Sequence, residues 1–124
     1  KIFAYVHAAV GALQRSVRSA RRDLLNYCMA DGYANMFRAA GFSNEVDEIR
    51  SRQAARDRDG ALAAVSERMI QAIDFIGDRQ EVTQFVRSYI DAGVEKPILM
   101  PMPWGDDRLD VTKQTMRAAA KAIS

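Results

Sequence analysis

The chain opens on Ile2-Phe-Ala-Tyr-Val-His-Ala-Ala-Val10, a β-branched and aromatic run that stops at Gly11. It predicts a strand with an aliphatic face (Ile2, Ala4, Val6, Ala8, Val10) and a fuller face (Phe3, Tyr5, His7), both of them buried. Near the other end, Ile98-Leu99-Met100 has no polar alternation, which is the habit of short parallel strands covered by helices on both sides. Between the two, Asp78-Arg-Gln-Glu81 reads as a capping box, and Val82, Phe85, Val86 and Tyr89 recur at helical spacing. Gly93 sits where a left-handed residue closes a helix. The order strand, helices, strand, helix predicts an α/β fold that is mostly helical.

The rest of the chain reads as helix. Leu13, Val17, Ala20, Leu24 and Cys28 mark one long helix over Leu13 to Ala30, with Arg15, Arg18, Arg21 and Arg22 turned outward. Asp31 is placed to cap a second helix, whose stripe is Tyr33, Met36, Phe37 and Ala40 and whose end is Gly41. Ser43 is placed to cap a third, which has a thin apolar stripe (Val46, Ile49) and the look of a surface insertion. Asp59-Gly60 breaks the pattern, Ala61 to Val65 predicts a helical turn, and Ser66 caps a helix with Met69, Ile70 and Ile73 inward that ends at Ile76-Gly77. A last helix carries Leu109, Lys113, Met116, Ala120 and Ile123 on its packing side, capped by Asp106 or Asp107 after the loop Pro103-Trp-Gly-Asp-Asp107.

Composition narrows the function classes. The 124 residues are 48% hydrophobic and 27% charged, which is globular rather than disordered. A net charge of +2, with basic and acidic residues interspersed, argues against nucleic acid as a partner. One cysteine, Cys28, excludes an intrachain disulfide and a cysteine zinc cluster, and its apolar neighbours predict a buried thiol. No apolar run nears the ~20 residues that span a bilayer, so no membrane is expected and the cytoplasm is the default location. Beginning at Lys1 inside a strand, with two parallel strands too few for an open sheet, the chain is expected to be one partial domain, 1–124, of a larger fold.

Four segments in order resemble the luciferase-like oxidoreductases. Tyr27 through Phe42 (Tyr-Cys-Met-Ala-Asp-Gly-Tyr-Ala-Asn-Met-Phe-Arg-Ala-Ala-Gly-Phe) is similar to that family's Y…Y-x-x-x-F-x-x-x-G-F stretch. Ala64-Val-Ser-Glu-Arg-Met-Ile-Gln-Ala-Ile73, Ile76-Gly77-Asp78 and Ala92-Gly93-Val94 through Pro103 resemble its A-V-x-D-E-M-V-D-A-I, V-G-T/D and A-G-V-D-x-P-V-L-M-P stretches. The resemblance implies the last two units, β-α-β-α with a helical insertion, of a (β/α)₈ TIM barrel. It also implies a parent oxidoreductase or monooxygenase moving hydride between coenzyme F420, a deazaflavin, or alternatively FMN, and a small organic substrate. The coenzyme would be held mostly by residues outside this chain, and the segment alone would be inactive.

Residues that carry chemistry are few. In such a barrel the site lies at the carboxyl ends of the strands, so His7, Met100, Met102 and Trp104 are the candidate pocket-lining residues. His7 is the one histidine, so no catalytic dyad of the Cys/His type and no metal-ligand cluster is expected, and no residue is assigned catalysis. A hydrogen-bonded interior histidine is the plainer account of it. None of the seven glycines forms Gly-x-Gly-x-x-Gly or a P-loop. A competing function is a helical ligand-binding or dimerisation module of a regulator, supported by several capped amphipathic helices. On either reading the uncovered strand edges and helix faces predict a homo-oligomer.

Overall fold

In a computed structural model of the chain, residues 2–102, 104 and 107–123 are described, apart from the side chains of Gln14 and Arg15. The molecule is α/β and mostly helical, as the periodicity predicts, but its sheet has three strands. These are β1 (Phe3–Val10), β2 (Asp74–Gly77) and β3 (Lys96–Pro101), all parallel, in the order β2-β1-β3. β1 and β3, the two strands expected from the sequence, are parallel neighbours, and β2 is an additional strand on the other edge of β1. The second strand corrects the expectation that helix runs up to Ile76-Gly77. The helix that follows Ser66 ends at Ile73, and residues 74–77 pair with β1 as strand before Asp78, at φ −72°, ψ 175°, caps the next helix.

Two compact units make up the chain: Lys1–Ser16 with Ile73–Ser124, and Val17–Ala72. In the first, α6 (Arg79–Asp91) and α7 (Arg108–Lys121) cover one face of the sheet. Val6 clusters with Val86 and Ala122, and Ala8 with Val82 and Ala118. The Phe75 and Phe85 rings stack at 4.5 Å, with Tyr89 edge-on to Phe85. α6 starts with the predicted capping box, Asp78 accepting from the Glu81 amide and Glu81 from the Asp78 amide. It ends with Gly93 at φ +105°, its N–H on the Ile90 carbonyl and the Val94 N–H on that of Tyr89, the paired bonds of a Schellman motif.

Helix α7 corrects its predicted packing side. Leu109, Lys113, Met116, Ala120 and Ile123 are all exposed, and Thr115, Ala118 and Ala122 face the sheet instead. Small residues suit the close approach there: Thr115 Oγ1 accepts the Val10 amide at 2.9 Å, and Thr83 of α6 donates to the Ala118 carbonyl at 2.8 Å. The expectation of two buried sheet faces is corrected in part. On the face opposite α6 and α7, Phe3 and Tyr5 are 55% and 65% exposed and Ile98 and Met100 are exposed beside them, whereas Ala9, Asp74 and Ile76 on the same face are buried.

The second unit is helical: most of α1 (Leu13–Cys28), then α2 (Asp31–Phe37), α3 (Ser43–Ala54), α4 (Arg58–Ala64) and α5 (Glu67–Ile73). Ala20, Leu24 and Cys28 are fully buried as the spacing predicts, and burial pushes the Cys28 thiol up to about 11 against the opposing charges of Arg50 and Arg38. Ser66 caps α5 through the Met69 amide as expected. Three other expectations change. Asp31 lies inside α2 and pairs with Arg50 rather than capping, Ser43 makes no cap bond, and Asp59-Gly60 sits within α4, whose cap is Asp57 bound to the Gly60 amide. On α2 the buried residues are Ala34 and Phe37, while Tyr33, Met36 and Ala40 are exposed. Gly41, at φ +101°, turns the chain through Arg38–Phe42 into α3.

Candidate functional site

Partners in a parallel ladder share a face, so the register sorts the side chains of the sheet into rows. On the face away from α6 and α7, Phe3 lies beside Lys96, Tyr5 beside Ile98, and His7 beside Met100. On the other side of β1, His7 is level with Asp74 and Ala9 with Ile76. The row of Tyr5, Ile98 and Met100 is apolar and exposed, and Lys96 places its ammonium 5.9 Å from the centre of the Phe3 ring. A flat apolar strip thus runs up the sheet to one polar position.

That position is a histidine–aspartate pair. His7 Nδ1 lies 3.2 Å from Asp74 Oδ1, with the imidazole partly exposed and the carboxylate fully buried. Opposite an ionised carboxylate, which only accepts, Nδ1 is the donor of this bond. Backbone pairing fixes the distance, because His7 and Asp74 are register partners on adjacent strands. Asp74 Oδ2 is buried with no hydrogen-bond partner among the described residues, a costly state for a carboxylate oxygen. A positive charge on His7 offsets that cost, and so does a proton or donor delivered to the pair.

Of the residues singled out from the sequence, His7 and Met100 come together as neighbours in one row. Met102 and Trp104 follow the carboxyl end of β3, the Met102 amide donating to the Ala8 carbonyl and the Trp104 amide to the Met102 carbonyl. Both are half-buried. Asp107 caps α7 through the Asp110 amide, as expected of an acid in that place, whereas Asp106 lies outside the described residues. The missed partner is Asp74. Its local signal was only the apolar Phe75-Ile76 pair before the Asp78 capping box, which the helical spacing absorbed and which the structure shows as a strand opened by Asp74.

No family model, curated protein or solved structure matches the chain. An imidazole oriented by a buried carboxylate can accept or return a proton, or hold a hydrogen-bonding ligand atom in a set direction. The neighbouring strip can lie against an apolar, planar surface. No helix is long and apolar enough to cross a membrane among the described residues.

Proposed function

We propose that the chain is part of a luciferase-like oxidoreductase, in which hydride passes between coenzyme F420, or FMN, and a small organic substrate. The observation that carries this reading is an open strip of the sheet: apolar Tyr5, Ile98 and Met100 stand exposed beside a histidine held by a buried aspartate. The four resembling segments add to it. The face fits the ring part of such a coenzyme, which is flat, largely apolar and hydrogen-bonding along one edge. It offers nothing for the phosphate part, since the glycines at positive φ among the described residues, Gly41 and Gly93, both close helices.

The coenzyme would supply the hydride chemistry. On this reading His7 holds or moves a proton at Nε2, Asp74 keeps its ring oriented, and Tyr5, Met100, Met102 and Trp104 exclude water. β1 and β3 lie side by side and parallel, as the last two strands of a barrel would, while β2 is an added strand that the barrel reading does not call for. The regulator reading leaves a three-stranded parallel sheet without a purpose. Titration of coenzyme F420 and of FMN into the product of the whole gene, followed by their absorbance, tests the proposal. Saturable binding of either, weakened at least tenfold by His7→Phe, is expected; a whole-gene product that binds neither would sink it.

A further inference from the structure

Helix α7 has two apolar faces, and the sheet uses the one with the smaller residues. Thr115, Ala118 and Ala122 are buried, while Leu109, Met116 and Ile123 stand 65%, 55% and 70% exposed. The exposed positions 109, 113, 116, 120 and 123 alternate in steps of four and three, the spacing of a seam that packs against another helix. Leu, Met and Ile take three of the five places, Ala120 a fourth, and Lys113 interrupts the seam at 113. A solitary surface helix gains nothing from turning its largest apolar side chains to water.

We propose that this seam pairs, antiparallel, with the same helix of a second copy of the chain. Charge complementarity selects that occupant and that direction. Bordering the seam on one side are Asp110 and Arg117, both exposed. In the antiparallel register that sets Leu109 against the second copy's Ala120 and Lys113 against its Met116, Asp110 of each copy meets Arg117 of the other, twice by symmetry. The register one heptad step along brings the two Arg117 side chains together and is opposed by their like charge. A parallel pair stacks Lys113 on Lys113. Helix α7 is about 21 Å long, so the contact is at the small end of specific interfaces and the dimer is a weak one.

This inference is independent of the oxidoreductase reading. Sedimentation equilibrium of the full chain from about 5 to about 500 µM should show a monomer–dimer equilibrium within that range. Met116→Glu is expected to weaken dimerisation at least tenfold, and either Asp110→Arg or Arg117→Asp to weaken it about threefold to tenfold. The combined exchange, Asp110→Arg with Arg117→Asp, should restore the affinity to within about threefold of the parent, which no general loss of folding or solubility can do. Circular dichroism unchanged across the set verifies that the exposed positions tolerate the changes. A monomer at every concentration, a dimer indifferent to Met116→Glu, or single charge variants with no rescue in the double would each overturn the proposal.

Discussion

Helices α6 and α7 lie on the same face of the same sheet, yet they spend their apolar residues in opposite ways. α6 turns Val82, Phe85, Val86 and Tyr89 to the strands, and α7 turns Thr115, Ala118 and Ala122 inward and its leucine, methionine and isoleucine outward. The difference shows that a helical stripe identifies a face that wants cover without saying what supplies it. In α6 the stripe and the core coincide. In α7 the core is built of small residues, where a threonine hydroxyl satisfies a strand amide, and the stripe is left for something else.

The largest effect should separate the two helices directly. Phe85→Ala removes a ring stacked on Phe75 and is expected to cost about 3 kcal/mol, whereas Met116→Ala should stay within about 0.5 kcal/mol. Urea unfolding followed by the emission of Trp104, the one tryptophan, measures both; equal losses would erase the contrast. Next in size is Thr115→Val, which keeps the shape but leaves the Val10 amide without its acceptor, at about 1–2 kcal/mol. A neutral result would mean that α7 is held by apolar contact alone.

Asp78→Ala should cost about 1 kcal/mol through loss of the capping box, and Asp107→Ala a similar amount at the start of α7. Here the helices are expected to agree, which makes the pair a control on the first comparison. The smallest effect concerns pH and belongs to the helical unit. Burial raises the Glu45 carboxyl, but hydrogen bonds from Ser66 and its own backbone and the charge of Arg68 outweigh it, leaving the carboxyl below its ordinary value. A depressed folded value favours the native state above the unfolded value of roughly 4.3, and that contribution disappears as pH falls through the folded one. Glu45→Gln should therefore flatten the acid limb of stability below about pH 4.5 without changing the response of Trp104 to Phe85→Ala. An unchanged acid limb would remove Glu45 from the account.

Legibility followed the range of the interactions. β1, the capped and glycine-closed α6, and β3 could be read because their signals are local: alternation, a four-residue box, a glycine after the last turn. Asp31, Ser43 and Asp59-Gly60 misled for the same reason, since short polar residues signal caps and breaks that tertiary pairing can override, as Arg50 does for Asp31. β2 hid because four residues following a helix carry little periodicity. Half of the candidate site went with it: His7 was visible as the lone histidine, but its aspartate lies 67 residues away and is joined to it only by strand register. The exposed strip of Phe3, Tyr5, Ile98 and Met100 was hidden for a related reason, because apolar residues in a strand look alike whether or not they are covered.

The outer rim of β3 has a further meaning. Lys96 and Met102 donate their amides to β1, and donors in a parallel ladder alternate, so positions 97, 99 and 101 point away from it. Two of those three are prolines, which have no N–H to give. Leu99 alone could offer a proton to a newcomer on that side, although the carbonyls of Pro97, Leu99 and Pro101 can still accept one. That rim is rich in acceptors and poor in donors, so a strand added there is held mainly by its own amides, and two such rims from different copies cannot pair with each other.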